Sequence, residues 1–150
     1  MPTARSTTTI CMTKKVFVDT SAFLALANPA DRHHDAAVRC FGVLKASGTL
    51  FITTNFILDE TYTRLQRKSG LMVAIDVGEK IRSDRKLKIF TVEGTLEKLA
   101  WEIFKHDQGH TFSYTDCTSF ALMRRRKISE AFAFDADFVS FGWIVYPAEY

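Results

Sequence analysis

The chain predicts an α/β domain whose parallel sheet is covered by helices on both faces. Short apolar runs alternate with longer segments of helical period, the pattern of strands joined by crossover helices. Several helix starts and stops are punctuated by hydroxyl, glycine or Asn-Pro signals, so the segments separate cleanly. The length of 150 residues, 47% hydrophobic with thirteen phenylalanines, suffices for one domain with a substantial core.

In chain order, Lys14 to Val18 reads as a short buried strand, followed by a helix from Thr20 to Leu26 with hydroxyls at its cap positions. Asn28-Pro29 breaks that helix. His33 to Ala46 carries Ala37, Val38, Phe41 and Leu44 at helical spacing, and Gly48 stops it. Leu50 to Thr53 is a second strand, leading into a helix from Asn55 to Arg67 that Gly70 ends. Leu71 to Arg82 makes another helix, and Leu87 to Val92 alternates like a strand. Glu93 to His106 returns to helical period with Leu96, Leu99, Ala100 and Ile103 on one side. Ser113-Tyr114-Thr115-Asp116 matches a capping box before an apolar helix from Cys117 to Met123. Ala131 to Phe134 and Trp143 to Tyr146 complete the strands, and the Trp and Phe content reads as core. Residues 14–150 contain no repeat, linker or low-complexity tract, so they are expected to form a single domain.

Bulk properties exclude several classes. No apolar run approaches the ~20 residues of a membrane-spanning helix. Residues 1–13 lack the apolar centre of a signal peptide, so a cytoplasmic protein is expected. That segment reads as a flexible extension, or as an overlong start with Met12 as the true beginning. Three cysteines (Cys11, Cys40 and Cys117) without CxxC spacing suit reduced thiols rather than a disulfide framework or a zinc cluster. Cys117 has no partner histidine at a useful spacing and reads as a small helix residue. The formal charge of +3 permits a polyanionic partner without requiring one. The run Arg124-Arg125-Arg126-Lys127 fits a helix C-terminus better than a nucleic-acid patch, because cations there complement the helix dipole. His33, His34, His106 and His110 lack ligand spacing and are expected at the surface.

Four acids at the ends of apolar segments are the candidate site: Asp19, Glu60, Asp116 and Asp135. Asp19 and Asp135 each follow a strand, Glu60 lies about a turn into the helix after a second strand, and Asp116 opens the helix before a fourth. Sites in open parallel sheets lie outside the carboxyl ends of the strands, so all four can converge on one edge. Negative charge there stabilises little by itself, but it suits a divalent cation, because Mg²⁺ prefers oxygen ligands. Such a site activates water and neutralises charge on a phosphodiester.

Each acid also has an ordinary reading. Asp19 could cap its helix, although Thr20 and Ser21 are available for that. Glu60 sits beside Asp59, and either could be a solvated helix residue or a salt-bridge partner; Phe56, Glu60 and Thr63 form one stripe. Asp116 is stabilising as a capping-box residue, and the helix N-terminus is expected to keep it ionised. Asp135 adjoins the strand and is preferred to Asp137, which is second choice as a water-mediated metal ligand. Clustering this many carboxylates is expected to raise the pKa of at least some of them in the absence of metal, and Mg²⁺ or Mn²⁺ to stabilise the fold by relieving the repulsion.

At these residues the chain resembles PIN-domain proteins, specifically VapC-type toxin ribonucleases of toxin–antitoxin pairs. The matching segments are Val16 to Ala22, Thr53 to Thr61, Phe112 to Met123 and Ala131 to Phe138. They span nearly all of residues 14–147 in the family's order and spacing. The resemblance implies a three-layer α/β/α fold and a Mg²⁺- or Mn²⁺-dependent endoribonuclease. It places Asp19, Glu60, Asp116 and Asp135 in the acidic quartet, with Ser21 and Thr115 as hydroxyls near the metal or its bound phosphate. It further implies a homodimer and a small antitoxin whose C-terminal segment enters the site. The N-terminal extension and the extra acid Asp137 depart from the family pattern.

Rival chemistries fit less well. A haloacid-dehalogenase-like phosphatase needs a second Asp two positions after the first, and Ser21 stands there. A phosphoacceptor receiver domain leaves the quartet unexplained, and no P-loop motif is present. A PIN-like module that binds RNA or protein without cutting is the alternative reading.

Overall fold

The computed structural model describes residues 12–107 and 109–148. Residues 1–11, most of the expected N-terminal extension, lie outside the described residues; Met12 and Thr13 are exposed. The elements run β1 Lys15–Val18, α1 Thr20–Ala27, α2 His34–Ala46, β2 Leu50–Thr54, α3 Asn55–Ser69 and α4 Leu71–Ser83. They continue β3 Leu87–Phe90, α5 Gly94–Lys105, α6 Tyr114–Arg126, β4 Glu130–Phe132, α7 Ala136–Ser140 and β5 Ile144–Tyr146. Among the described residues no helix is long and apolar enough to cross a membrane.

All five strands are parallel, in the order β3-β2-β1-β4-β5. β1 is central, pairing Phe17 with Ile52 of β2 on one side and with Ala131 of β4 on the other. Strand order therefore reverses at β1, and the carboxyl ends of β1, β2 and β4 open onto one crevice. Val16, Phe17 and Val18 are all buried, as a strand covered on both faces requires. This is the α/β/α architecture expected from the sequence.

α6 explains how the crevice acquires a buried acid. Every residue from Asp116 to Met123 is buried, so the helix runs through the interior rather than along the surface. It packs chiefly against α5. Phe120 stacks on Phe141 at 4.1 Å and meets Phe138 edge-on at 5.1 Å, which anchors α7 and the chain before β5. Each such aromatic pair adds about 0.5–1.5 kcal/mol beyond its burial.

The arginines at the end of α6 have structural roles. Arg124 lies over the Phe141 ring at 4.6 Å, Arg126 over Phe90 at 4.5 Å, and Arg125 donates to Thr95 Oγ1. Lys127 takes the left-handed conformation and Ile128 returns to the core. The basic run thus ends its helix, as its sequence position suggests.

Several details differ from the sequence expectation. α7 has only five residues, too few to show a helical period. Val38 and Leu99 share their helices' apolar spacing but face solvent, at the edge of the stripes that Ala37 and Leu44, and Leu96 and Ala100, bury. Aromatic content is not all core: Trp101 and Phe104 stack on each other at the surface of α5.

Candidate metal centre

Asp19 is placed by the end of β1. Its backbone N–H donates to Phe132 O of β4, so the residue is held between the two strands before the chain turns into α1. Asp19, and neither Thr20 nor Ser21, is the N-cap of α1: its Oδ2 accepts the Ser21 N–H at 3.0 Å and the Ser21 hydroxyl at 2.6 Å. Capping and a place in the site are therefore combined in one carboxylate. Burial, opposed by the Ser21 hydrogen bonds and reinforced by Asp116 and Asp135, raises its pKa to about 7.

Glu60 arrives from α3, whose start is set by the Thr54 side chain capping the Ile57 N–H. Thr20 Oγ1 donates to Glu60 Oε2 at 3.2 Å, which aims the carboxylate back toward Asp19's turn. Its other oxygen meets Arg64 Nη1 at 3.3 Å. Asp59 faces away and is exposed, which separates the neighbouring acids.

Asp116 sits in a complete capping box. Ser113 Oγ accepts the Asp116 N–H and Asp116 Oδ2 accepts the Ser113 N–H, each at 3.0 Å. The helix N-terminus does not keep this acid below the usual range, contrary to the sequence expectation. Burial outweighs the Ser113 hydrogen bonds and, with Asp135 and Asp137 beside it, raises the pKa to about 6.

Asp135 follows β4 and caps α7, its Oδ1 accepting the Asp137 N–H at 2.9 Å. That short helix turns Asp137 inward, so Asp116, Asp135 and Asp137 each offer a carboxylate oxygen within 4.8 Å of the others. Burial and Asp135 raise the Asp137 pKa as well. Asp137 therefore shares this cluster with Asp135 and Asp116.

These five acids line one cavity of about 250 Å³, together with Thr20, Ser21, Ser113 and Thr111. Thr115 is not among its lining residues; its carbonyl accepts the Thr118 and Ser119 hydroxyls inside α6. Ser21 borders the cavity, but its hydroxyl is already engaged with Asp19 and with the Phe134 N–H at 2.9 Å. Thr20 and Ser113 are site residues that the sequence motifs do not single out, although each adjoins a named acid or belongs to its capping box. A larger cleft of about 320 Å³ between α1, α2 and α4 is lined mainly by apolar side chains such as Phe23, Phe41 and Ile81. It offers no comparable set of ligand groups.

The donor set fits a hard divalent cation: every candidate ligand is a carboxylate oxygen, and Arg64 is the only cation among the described lining residues. Burial and mutual repulsion push two of these carboxyls up to about 7 and 6, a cost that a bound cation would offset.

A parallel α/β/α sheet with carboxylates gathered beyond its strand ends defines the class, and the chain belongs to the PIN domain family, whose model matches residues 16–144. It is similar over most of its length to VapC-type proteins. The 23S rRNA-specific endonuclease VapC20 of Mycobacterium tuberculosis is 37% identical over 130 residues, covering 86% of this chain and 95% of the relative. The crystal structure of that VapC20, described as a sarcin–ricin loop cleaving toxin, superposes with a TM-score of 0.77 over 86% of this chain and 96% of that one. VapBC2 from Rickettsia felis, solved bound to a promoter DNA fragment, shares the fold at 12% identity and a TM-score of 0.67, covering 87% of this chain and 96% of that one. DNA-bound VapBC from Salmonella typhimurium does so at 12% identity and 0.61, covering 89% and 97%.

Proposed function

We propose that this chain is a Mg²⁺- or Mn²⁺-dependent endoribonuclease and the toxin of a toxin–antitoxin pair. The observation that carries the reading is the gathering of Asp19, Glu60, Asp116, Asp135 and Asp137 around one cavity, two of them buried and raised in pKa. Asp19, Glu60, Asp116 and Asp135 would hold the cation, with Asp137 beside them. When bound, the cation supplies positive charge to the scissile phosphodiester and makes water a competent nucleophile near neutral pH.

The chain's own residues then do the positioning. Ser21 fixes the Asp19 carboxylate, Thr20 directs one oxygen of Glu60, and the Ser113 box fixes Asp116. Asp116 or Glu60 would orient the attacking water. Attack by external water leaves 5′-phosphate and 3′-hydroxyl ends, whereas a 2′,3′-cyclic phosphate would reject this route.

The name of the 37% identical relative extends to a substrate class: a loop of ribosomal RNA. A small antitoxin, a homodimer, a cytoplasmic location and a single nuclease domain over residues 14–150 go with the same reading. The test is cleavage of total RNA and of intact ribosomes by purified protein with Mg²⁺, Mn²⁺ or EDTA, beside Asp19→Asn. Metal-dependent cutting that the variant loses is the expected result. Equal cutting by the variant, or cutting in EDTA, overturns the assignment.

A further inference from the structure

The acidic cavity has a second, basic chamber beside it, and Arg64 lines both. One turn after Glu60 on α3, Arg64 pairs with that carboxylate at 3.3 Å yet stays 57% exposed. It also lines an adjoining groove of about 210 Å³ with Arg67, Lys68 and Ser69, walled by Leu24 and Leu65. Arg64 stands four residues after Glu60, and Arg67 and Lys68 stand three and four after Arg64, so the stripe leads away from the carboxylates without leaving α3. Among the described residues Asp31 is the one acid lining the groove, against three cations.

Ordinary explanations account for only part of this. An exposed i, i+4 pair such as Glu60–Arg64 contributes little to stability. Arg67 and Lys68 complement the dipole at the end of α3. Neither explains why the only cation among the described lining residues of an acidic cavity also opens a basic groove. A guanidinium carries five N–H donors in a planar fork suited to a phosphate, and the Glu60 contact occupies one nitrogen. A cavity of carboxylates repels a polyanion unless cations next to it hold the strand, and this groove supplies them.

We propose that Arg64, Arg67 and Lys68 form a track for the phosphates of the RNA strand beside the cut, with Arg64 on the phosphate adjoining the scissile one. The track rests on the ribonuclease reading. It touches backbone and not bases, so it sets affinity and register rather than sequence.

The test measures binding of two fluorescein-labelled probes, an RNA hairpin with the sarcin–ricin loop sequence and a poly(U) oligomer, by anisotropy across a salt series. Asp19→Asn serves as the background so that the probes stay intact. Adding Arg67→Gln with Lys68→Gln weakens both probes about tenfold, and the log–log salt slope falls by about 1.4, or roughly 0.7 for each single-strand phosphate that is no longer neutralised. In the otherwise unaltered chain the same pair of changes raises KM and leaves kcat within about twofold. Arg64→Gln weakens binding likewise, and Arg64→Lys restores part of it. A control with Arg85→Gln and Lys86→Gln, exposed cations before β3, keeps the original slope. If background and track variants bind with the same slope, or the control falls as far, the track is overturned and the nuclease reading stands. If the unaltered chain neither binds nor cuts RNA, both fall together.

Discussion

Ser21 donates its hydroxyl to Asp19 Oδ2 over 2.6 Å while accepting the Phe134 N–H over 2.9 Å. One small side chain therefore fastens the carboxylate at the end of β1 to the backbone beyond β4. The hydroxyl that resemblance assigns to the metal or its phosphate is, in this geometry, committed to holding an acid in place. Ser21→Ala removes both hydrogen bonds, at a cost of about 1–2 kcal/mol. Cleavage and metal affinity should fall about 10–100-fold, the range for loss of a group that orients a ligand. A melting curve and a Mn²⁺ titration of the variant check both figures. An unchanged metal affinity would mean Asp19 is held adequately without Ser21.

The Asp19 carboxyl should make the metal-free protein less stable as pH rises. Its folded pKa of about 7 lies above the ordinary 3.8, so the folded chain holds this proton more tightly than the unfolded chain does. The associated stabilisation is fully present below about pH 3.8 and is lost as pH climbs through about 7. Asp116 adds a smaller loss through about pH 6. Asp19→Asn keeps an oxygen for the Ser21 donors and removes the charge. In EDTA the variant should match the parent's melting temperature near pH 4 and exceed it by several degrees at pH 8, on the order of a few kcal/mol. Excess Mg²⁺ should narrow or reverse the gap by stabilising the parent alone. Parallel melting curves across this pH range would show that Asp19 is not raised.

The parts of this molecule legible from sequence are those whose physics is local. The buried run Val16 to Val18, the Ser113–Asp116 capping box and the glycine stop at Gly70 each announce themselves within a few residues. The order of strands and acids along the chain is enough to bring Asp19, Glu60, Asp116 and Asp135 to one edge of a parallel sheet. What escapes depends on distant neighbours. Asp116 looks ionised beside a helix N-terminus, but burial in the middle of the fold outweighs that field. Asp137 looks like the spare of a pair until α7, too short for any periodicity, turns it toward Asp116. Thr115 lies inside a matching motif, yet the first turn of α6 directs its neighbours Ser113 and Asp116, and not itself, to the cavity.

Cys117, next to Asp116, should prove chemically silent. Its side chain is fully buried, and burial, with Asp107 and Asp116 nearby, pushes the thiol up to about 11. The thiolate is the reactive form, so almost none exists at neutral pH. Iodoacetamide at pH 7.5 should leave this residue unlabelled in the folded protein, as judged by mass spectrometry of its peptide. Cys117→Ala should retain full cleavage activity and lose about 1 kcal/mol of stability from the small cavity. Loss of activity with an unchanged melting temperature would reopen a role for the thiol.

Asp135 and Asp137 should both matter to metal binding, but in different ways. Asp135 has two tasks, because the carboxylate that faces the cluster also caps α7 through the Asp137 N–H. Asp135→Asn keeps the cap and loses only charge, whereas Asp135→Ala loses the cap too, costing about a further 1 kcal/mol. Asp137 caps nothing in that helix, so Asp137→Asn reports on the cluster alone. Removing one charge relieves repulsion among the remaining acids, and each Asn variant should melt slightly higher than the parent in EDTA. Each should also show a smaller rise in melting temperature when Mn²⁺ is added, since the stabilisation by a ligand follows its affinity. The decisive comparison is the Mn²⁺ concentration giving half the rise. If Asp135→Asn shifts it about tenfold or more while Asp137→Asn leaves it within twofold, Asp135 is the ligand and Asp137 acts through water or not at all. Equal shifts would make the pair share the fourth position, as the 4.8 Å grouping with Asp116 favours.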